Sequence, residues 1–196
     1  MAPPLIRPGL LPEHREAAIA LYWTAFGPKL GRLLGPAARA RAYLDRVLAP
    51  EQLISALSPE GHLLGIAGFR LATGAFALGR PADTVAVYGR LGALWRIAAF
   101  HLLPQEVDPL GFRIDGIAVV EATRCQGIGA ALIGALCDEA RSRGFPEIRL
   151  DVADANPRAR ALYERQGFVA CGRDRMGVLA PLFGFVGSTR MVRPLA

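Results

Sequence analysis

The stretch richest in chemistry is Arg124-Cys125-Gln126-Gly127-Ile128-Gly129-Ala130, which lies between a strand-like run and a strongly helical one. Small residues at Gly127, Gly129 and Ala130 let the backbone come close to a ligand, and the first N–H groups of a helix have no partner inside it. Together with the helix dipole they form an anion site suited to a pyrophosphate, and Arg124 adds a cation at the same mouth. The competing reading is a tight turn into a surface helix.

A dinucleotide site is disfavoured by the spacing. Gly-x-Gly-x-x-Gly needs a third glycine where Leu132 stands, and no acidic residue ends a next strand in a Rossmann repeat. A P-loop is excluded, because 22 of the 23 basic residues are arginine, Lys29 is the only lysine, and no Gly-Lys-Ser/Thr exists to hold a phosphate. His14, His62 and His101 are too scattered for a metal site, and Ser188 sits in Gly187-Ser188-Thr189 rather than a nucleophile elbow. No metal is expected.

Composition narrows the classes further. A chain of 196 residues with 52% hydrophobic and 20% charged residues is no disordered protein. Its length fits one domain, and no repeat or low-complexity linker divides it. The net charge of +6 suits acidic small molecules, whereas the dispersed basic residues argue against a nucleic-acid partner. Cys125, Cys137 and Cys171 cannot all pair and none lies in Cys-x-x-Cys, so with no signal peptide ahead they read as reduced thiols of a cytoplasmic protein. The mean hydropathy of +0.28 raises a membrane span at Thr84 to Leu103, but Arg90, Arg96 and His101 interrupt it, and no span is expected.

The elements that must position the loop follow from periodicity. Leu5-Ile6-Arg7 is a short strand. Pro12 to Phe26 has a helical apolar stripe that Gly27-Pro28 is expected to stop, and Ala37 to Leu48 is a second helix. Gln52 to Leu57 and His62 to Arg70 flank Ser58-Pro59-Glu60-Gly61 as a hairpin. Asp83 to Leu103 reads as one apolar helix with Val85, Tyr88, Leu91, Trp95 and Leu102 on a stripe. Arg113 to Val120 is a strand, Gly127 to Arg143 a helix ended by Gly144, and Ile148 to Ala153 a strand with Ile148, Leu150 and Val152 on one face. Asn156 caps a short helix at Arg158 to Gln166, with Pro157 at its first position and Gly167 just past its end. Phe168 to Arg173 and Ser188 to Arg193 are closing strands. A strand–helix–strand run implies one parallel pair in an otherwise antiparallel sheet, so the class is α+β, a mixed α/β sheet flanked by helices.

The loop resembles the Arg/Gln-x-x-Gly-x-Gly/Ala signature of the GNAT (Gcn5-related) N-acetyltransferase superfamily. Asp115-Gly116-Ile117-Ala118-Val119-Val120 looks like that family's fourth strand and Leu150-Asp151-Val152 its fifth. Asn156 to Phe168 is similar to its N-x-x-A-x-x-L-Y-x-x-x-G-F motif. The resemblance implies a single domain over 1–196 with a mostly antiparallel sheet and a splayed parallel strand pair; the apolar helical stretch at about 72–108 departs from the family pattern and reads as an extra insertion. The resemblance also implies acetyl-CoA or another acyl-CoA as donor and a primary amine of a small molecule or peptide as acceptor. The cofactor's arm would run between the splayed strands on the backbone of Ile117, Ala118 and Val119. Arg124, Cys125, Gln126, Gly127, Ile128, Gly129 and Ala130 would hold the pyrophosphate. Asn156, the only asparagine, would cap its helix, contact the arm, or do both.

Attack on a thioester needs a neutral amine, an acceptor for its proton and a donor for the departing thiolate. On the resemblance Tyr163 is the donor, the alternative being a core tyrosine beside Leu162. Asp151, opposite Leu150 and Val152 on its strand, is the first choice of base; Asp115 is the second and a water chain the third. Cys125 at a helix start has no histidine partner and reads as a spectator. The resemblance implies an acceptor wall at Phe26 to Leu34 and Met176 to Gly187, which are rich in Leu, Phe and Gly with few acids. The Asp83 to Leu103 helix either covers that site or forms a homodimer contact. Two functions stand: a GNAT N-acetyltransferase working by direct transfer, or a non-catalytic acyl-CoA-binding module that senses acetyl-CoA and contacts a protein partner.

Overall fold

The computed structural model of the chain describes residues 3–71, 74–75, 77, 79–102, 111–175, 177 and 186–195. In chain order these form β1 (Leu5–Pro8), α1 (Arg15–Leu34), α2 (Ala37–Val47), β2 (Leu53–Leu57), β3 (Leu63–Leu71), β4 (Gly74–Ala75), α3 (Pro81–Leu102) and β5 (Phe112–Val119). Then come α4 (Ile128–Ser142), β6 (Glu147–Ala153), α5 (Pro157–Arg165), β7 (Val169–Arg175) and β8 (Gly187–Pro194). The sheet runs β1-β2-β3-β5-β6-β8-β7, with the two-residue β4 paired to β3. Every pairing is antiparallel except β5 with β6.

Period-2 alternation gives this sheet two apolar faces. Ile54, Ala67, Phe69, Ile114, Leu150 and Val152 turn to one side, where Leu132, Ile133 and Leu136 of α4 cover them. Leu53, Ile66 and Ala118 turn to the other, under Ala18 and Ile19 of α1 and Leu44 of α2. Thus α4 lies on one face of the sheet and α1 on the other.

Two expectations are corrected. Gly27-Pro28 does not end α1, which continues to Leu34 with Pro28 inside it. Proline removes one N–H from the helix ladder, but the turns beyond are held by Leu33 and Leu34, both buried against Tyr43 and Tyr88. Nor is Asp83 to Leu103 one continuous helix with a single apolar stripe. Gly89 adopts φ 70°, ψ 170° in the middle of α3 and breaks its phase. The buried side chains are therefore Thr84 and Tyr88 before the break and Ala93, Arg96 and Ala99 after it, while Leu91 is 88% and Leu94 71% exposed.

Arg96 is the reason for that phase. Its Nε donates to the Leu33 carbonyl at 2.7 Å and its Nη2 to that of Gly35 at 3.1 Å, and Tyr88 Oη donates to the Leu34 carbonyl at 2.6 Å. The guanidinium lies 4.0 Å from the centre of the Tyr88 ring. These donors satisfy carbonyls that the end of α1 leaves without partners and set a cation at its negative pole. No helix among the described residues is long and apolar enough to cross a membrane. Arg96→Ala is expected to lower stability by about 3 kcal/mol, since it orphans buried carbonyls; urea unfolding followed by circular dichroism measures it.

Candidate functional site

Strand register makes the site. β5 and β6 pair at three positions only, Phe112 with Ile148, Arg113 with Arg149 and Ile114 with Leu150. Beyond these the strands part, although β5 runs on to Val119 and β6 to Ala153. At the parting Gly68 of β3 faces Gly116 while Phe69 faces Ile114, so Asp115 is an extra residue in the register. Such a bulge bends its strand, and here it falls where β5 leaves β6.

A cavity of ≈ 590 Å³ occupies the fork. Ile117, Ala118 and Val119 line it from β5, and Arg124, Cys125, Gly127, Ile128, Gly129 and Ala130 line it from the loop and the start of α4. Asn156, Leu162 and Tyr163 line it from α5, and Ala25, Phe26 and Lys29 from α1. Of the residues singled out from sequence, Gln126 faces away, its Nε2 donating to the Ala122 carbonyl at 3.4 Å. Asp115 and Asp151 also lie outside the cavity lining.

The loop's shape depends on left-handed backbone at Cys125 (φ 64°) and Gly127 (φ 83°). Alternation of this kind turns successive N–H groups into a concavity that suits an anion. Gly127 is needed for its φ alone, since an added Cβ would meet nothing within 4 Å. Gly129 sits close to α5: a Cβ there would stand 3.2 Å from Leu162 Cδ2, a tight contact that the leucine tip would have to ease by a few tenths of an ångström. Arg124 ties the loop to β5 through Nε and the Val119 carbonyl at 3.3 Å, and its Nη1 is 3.5 Å from Glu121. Arg158 Nη2 donates to Cys125 Sγ at 2.6 Å.

Asn156 Oδ1 accepts from the Ala159 N–H at 3.1 Å, so it caps α5 while lining the cavity. One face of α5 then carries Tyr163 inward, its ring edge-on to Phe168 with centroids 5.8 Å apart. Burial pushes the Tyr163 phenol up to about 12, which keeps its proton in place across the physiological range.

Both candidate acids stand on the α1 face. Asp151 alternates with Leu150 and Val152, which α4 covers, and it pairs with Arg113 across the parallel strands. Asp115 sits in the bulge 3.1 Å from Arg70. Burial raises its carboxyl above the ordinary range, against the pull of Arg70 and then of Arg113. Burial, and then the Asp115 charge, raises the neighbouring Tyr22 phenol. Gly116 completes this side: a Cβ there would come within 2.6 Å of the Phe26 ring, so glycine is what lets Phe26 press on β5 at the fork.

Phe26 belongs to the segment expected to form the acceptor wall, but Leu33 and Leu34 of that segment are core, and most of Met176 to Gly187 lies outside the described residues. Ala25, Thr123 and Arg158 were not legible as cavity residues, whereas Lys29 falls within the Phe26 to Leu34 segment expected as acceptor wall, though nothing but its being the single lysine marked it there.

The fold is that of the acetyltransferases. It superimposes with a TM-score of 0.69 on a structure described as histone acetyltransferase HPA2 and related acetyltransferase from Corynebacterium glutamicum, at 20% identity over 100% of this chain and 98% of that one. The Ard1 structure from Thermoplasma volcanium gives 0.63 at 18% identity, over 100% and 99%. A model of the Acetyltransferase (GNAT) family matches residues 15–168, and the chain belongs to that family. It is also 33% identical over 98 residues to the streptothricin acetyltransferase of Streptomyces lavendulae; the match covers 50% of this chain and 51% of that protein, so it spans about half of the relative's length.

The raised Asp115 carboxyl has a consequence for stability. A carboxyl whose folded pKa lies above its ordinary 3.8 favours the folded state below that value and loses this contribution as pH rises through the raised one. The melting temperature of Asp115→Asn should therefore match or exceed that of the wild type at pH 8 and lose any advantage near pH 3, as read by thermal scans across pH.

Proposed function

We propose that the protein is an acetyl-CoA-dependent N-acetyltransferase that transfers the acetyl group directly to a primary amine. The observation that carries this is the fork: three rungs of parallel pairing, then an open cavity bounded by free strand backbone, a helix start and a buried phenol. A slender acyl-CoA fits each part. The concavity at Cys125–Ala130 suits a pyrophosphate, and the β6-side backbone of Ile117–Val119, unpaired with β6, can hydrogen-bond an amide-bearing arm. Bound there, acetyl-CoA supplies the activated acyl group.

The chain's own residues account for the proton traffic. Tyr163, whose protonated phenol lines the cavity from α5, is the group we assign to give its proton to the sulfur as the thioester breaks, a role its position in the lining supports. Asp115 and Asp151, on the α1 face beside the fork, are the groups within reach of an amine entering from that side, each through water because neither lines the cavity. Arg70 and Arg113 hold these carboxylates in position. Phe26 gives the entry an apolar wall. The likeness to a streptothricin acetyltransferase favours a small-molecule amine over a peptide one, and an amine panel should begin with streptothricin.

Two measurements test this. Acetyl-CoA at 100-fold excess over its Kd should add about 2.7 kcal/mol of stability, a melting shift of roughly 5–10 °C for a chain this size. Free CoA thiol should then appear with an amine from the panel; stabilisation without thiol release for any amine would mark a binding module instead. Tyr163→Phe is expected to lower kcat by about 10²–10³ while leaving acetyl-CoA affinity within a factor of a few, because the ring is kept and only the donor is lost. Wild-type kcat in a less stable variant would make Tyr163 a core residue.

A further inference from the structure

Lys29 is the single lysine of a chain whose other 22 basic residues are arginine. α1 places it in the lining of the fork cavity with Ile117, Val119 and Tyr163. The residue type matters, because a guanidinium stays protonated and is no acyl acceptor, whereas a lysine amine can shed its proton and become a nucleophile. The position matters as much. The start of α4, with its unpaired N–H groups, belongs to one face of the sheet and α1 to the other, and residues of both line the one cavity along the edge of β5 that β6 leaves unpaired, which is the gap a guest would pass. A guest anchored by its anionic end at Gly127–Ala130 and threaded through that gap presents its opposite end, rather than its phosphates, to the side where Lys29 stands.

We propose that Lys29 is a site of self-acetylation, its neutral Nζ accepting the acetyl group of a coenzyme A thioester held in the fork. This rests on the acetyl-CoA reading above. The N–C bond to the acetyl carbonyl forms as the C–S bond breaks. Nζ gives a proton to water, the sulfur takes one up, and the products are Nε-acetyl-lysine and free CoA thiol. Burial lowers the Lys29 ammonium below its ordinary 10.5, which enlarges the neutral fraction that can react. Acetylation removes the only ammonium side chain in the cavity lining and adds bulk there, so the modified chain is one whose acceptor side is partly filled.

The test uses the wild-type full-length chain with acetyl-CoA and no added amine at pH 8, followed by intact mass and peptide mapping. The expected result is a gain of one acetyl group located on Lys29, visible also as loss of tryptic cleavage after that residue. It should form at least about tenfold faster than in the urea-unfolded chain at the same acetyl-CoA concentration, because the fold holds the amine beside the thioester. Excess CoA should suppress it, and Lys29→Arg should show no internal gain. Because the site is read in the wild type, the result does not hang on how any variant folds. An acetyl group found only on the N-terminal amine, or on Lys29 equally fast in the unfolded chain, would overturn the proposal. So would an unmodified Lys29 in a protein that acetyl-CoA stabilises and that releases thiol with an acceptor amine, a result that leaves the acetyltransferase reading standing. No label and no melting shift would remove both.

Discussion

The end of parallel pairing at Ile114 and Leu150 is the constraint on which the rest of the molecule hangs. Backbone N–H and C=O groups inside a protein must find partners, and two strands that diverge in the middle of a sheet leave part of theirs to solvent or to a guest. Each neighbouring element is arranged around that opening. The bulge at Asp115 bends β5 out of register, the loop after β5 curls through two left-handed residues into α4, and α5 approaches so closely that a Cβ on Gly129 would press on Leu162. A fully paired β5–β6 ladder would leave the same residues as an ordinary turn, an ordinary cap and a core tyrosine.

The two faces of the fork differ in kind. On the α4 side the lining is small residues and backbone N–H groups. On the α1 side stand Asp115, Asp151, Arg70 and Arg113 in ion pairs, and α1 adds Phe26 and Lys29 to the cavity lining. Lys29 reaches that second side because α1 does not stop at its Gly-Pro pair, and Arg96 and Tyr88, more than fifty residues away in sequence, bond the last carbonyls of the continued helix. Stability and site are coupled here through one helix: α3 holds the end of α1, and α1 delivers the residues that face the fork.

This coupling also explains what the sequence disclosed and what it did not. Elements governed by local signals were legible. Asn156, Pro157 and Gly167 marked both ends of α5, Gly144 marked the end of α4, and the alternation of Ile148, Leu150 and Val152 marked β6. The glycine turn into α4 and the parallel pair were legible for the same reason, since both depend on neighbours in the chain. The continuation of α1 and the broken phase of α3 were not, because a buried guanidinium and the packing of Leu33 and Leu34 overrode the local penalty of Pro28 and imposed a turn at Gly89. Ala25 and Thr123 escaped notice as cavity residues because a cavity gathers residues by topology, and no spacing rule in one segment names its partners in another.

The short register has a further meaning as a measure of length. From Asp115 to Val119 five residues of β5 run past the last rung, an edge of about 16 Å at about 3.3 Å per extended residue. A linear guest fixed by its charged end at the start of α4 would be gauged along this edge up to the last rung, Ile114 with Leu150. One more rung of pairing would shorten the gauge by about 3.3 Å, and one fewer would lengthen it by as much. The fork thus works as a ruler whose zero is set by hydrogen bonds between strands, so that the size of chain it admits can be altered by register without changing a single side chain in the lining.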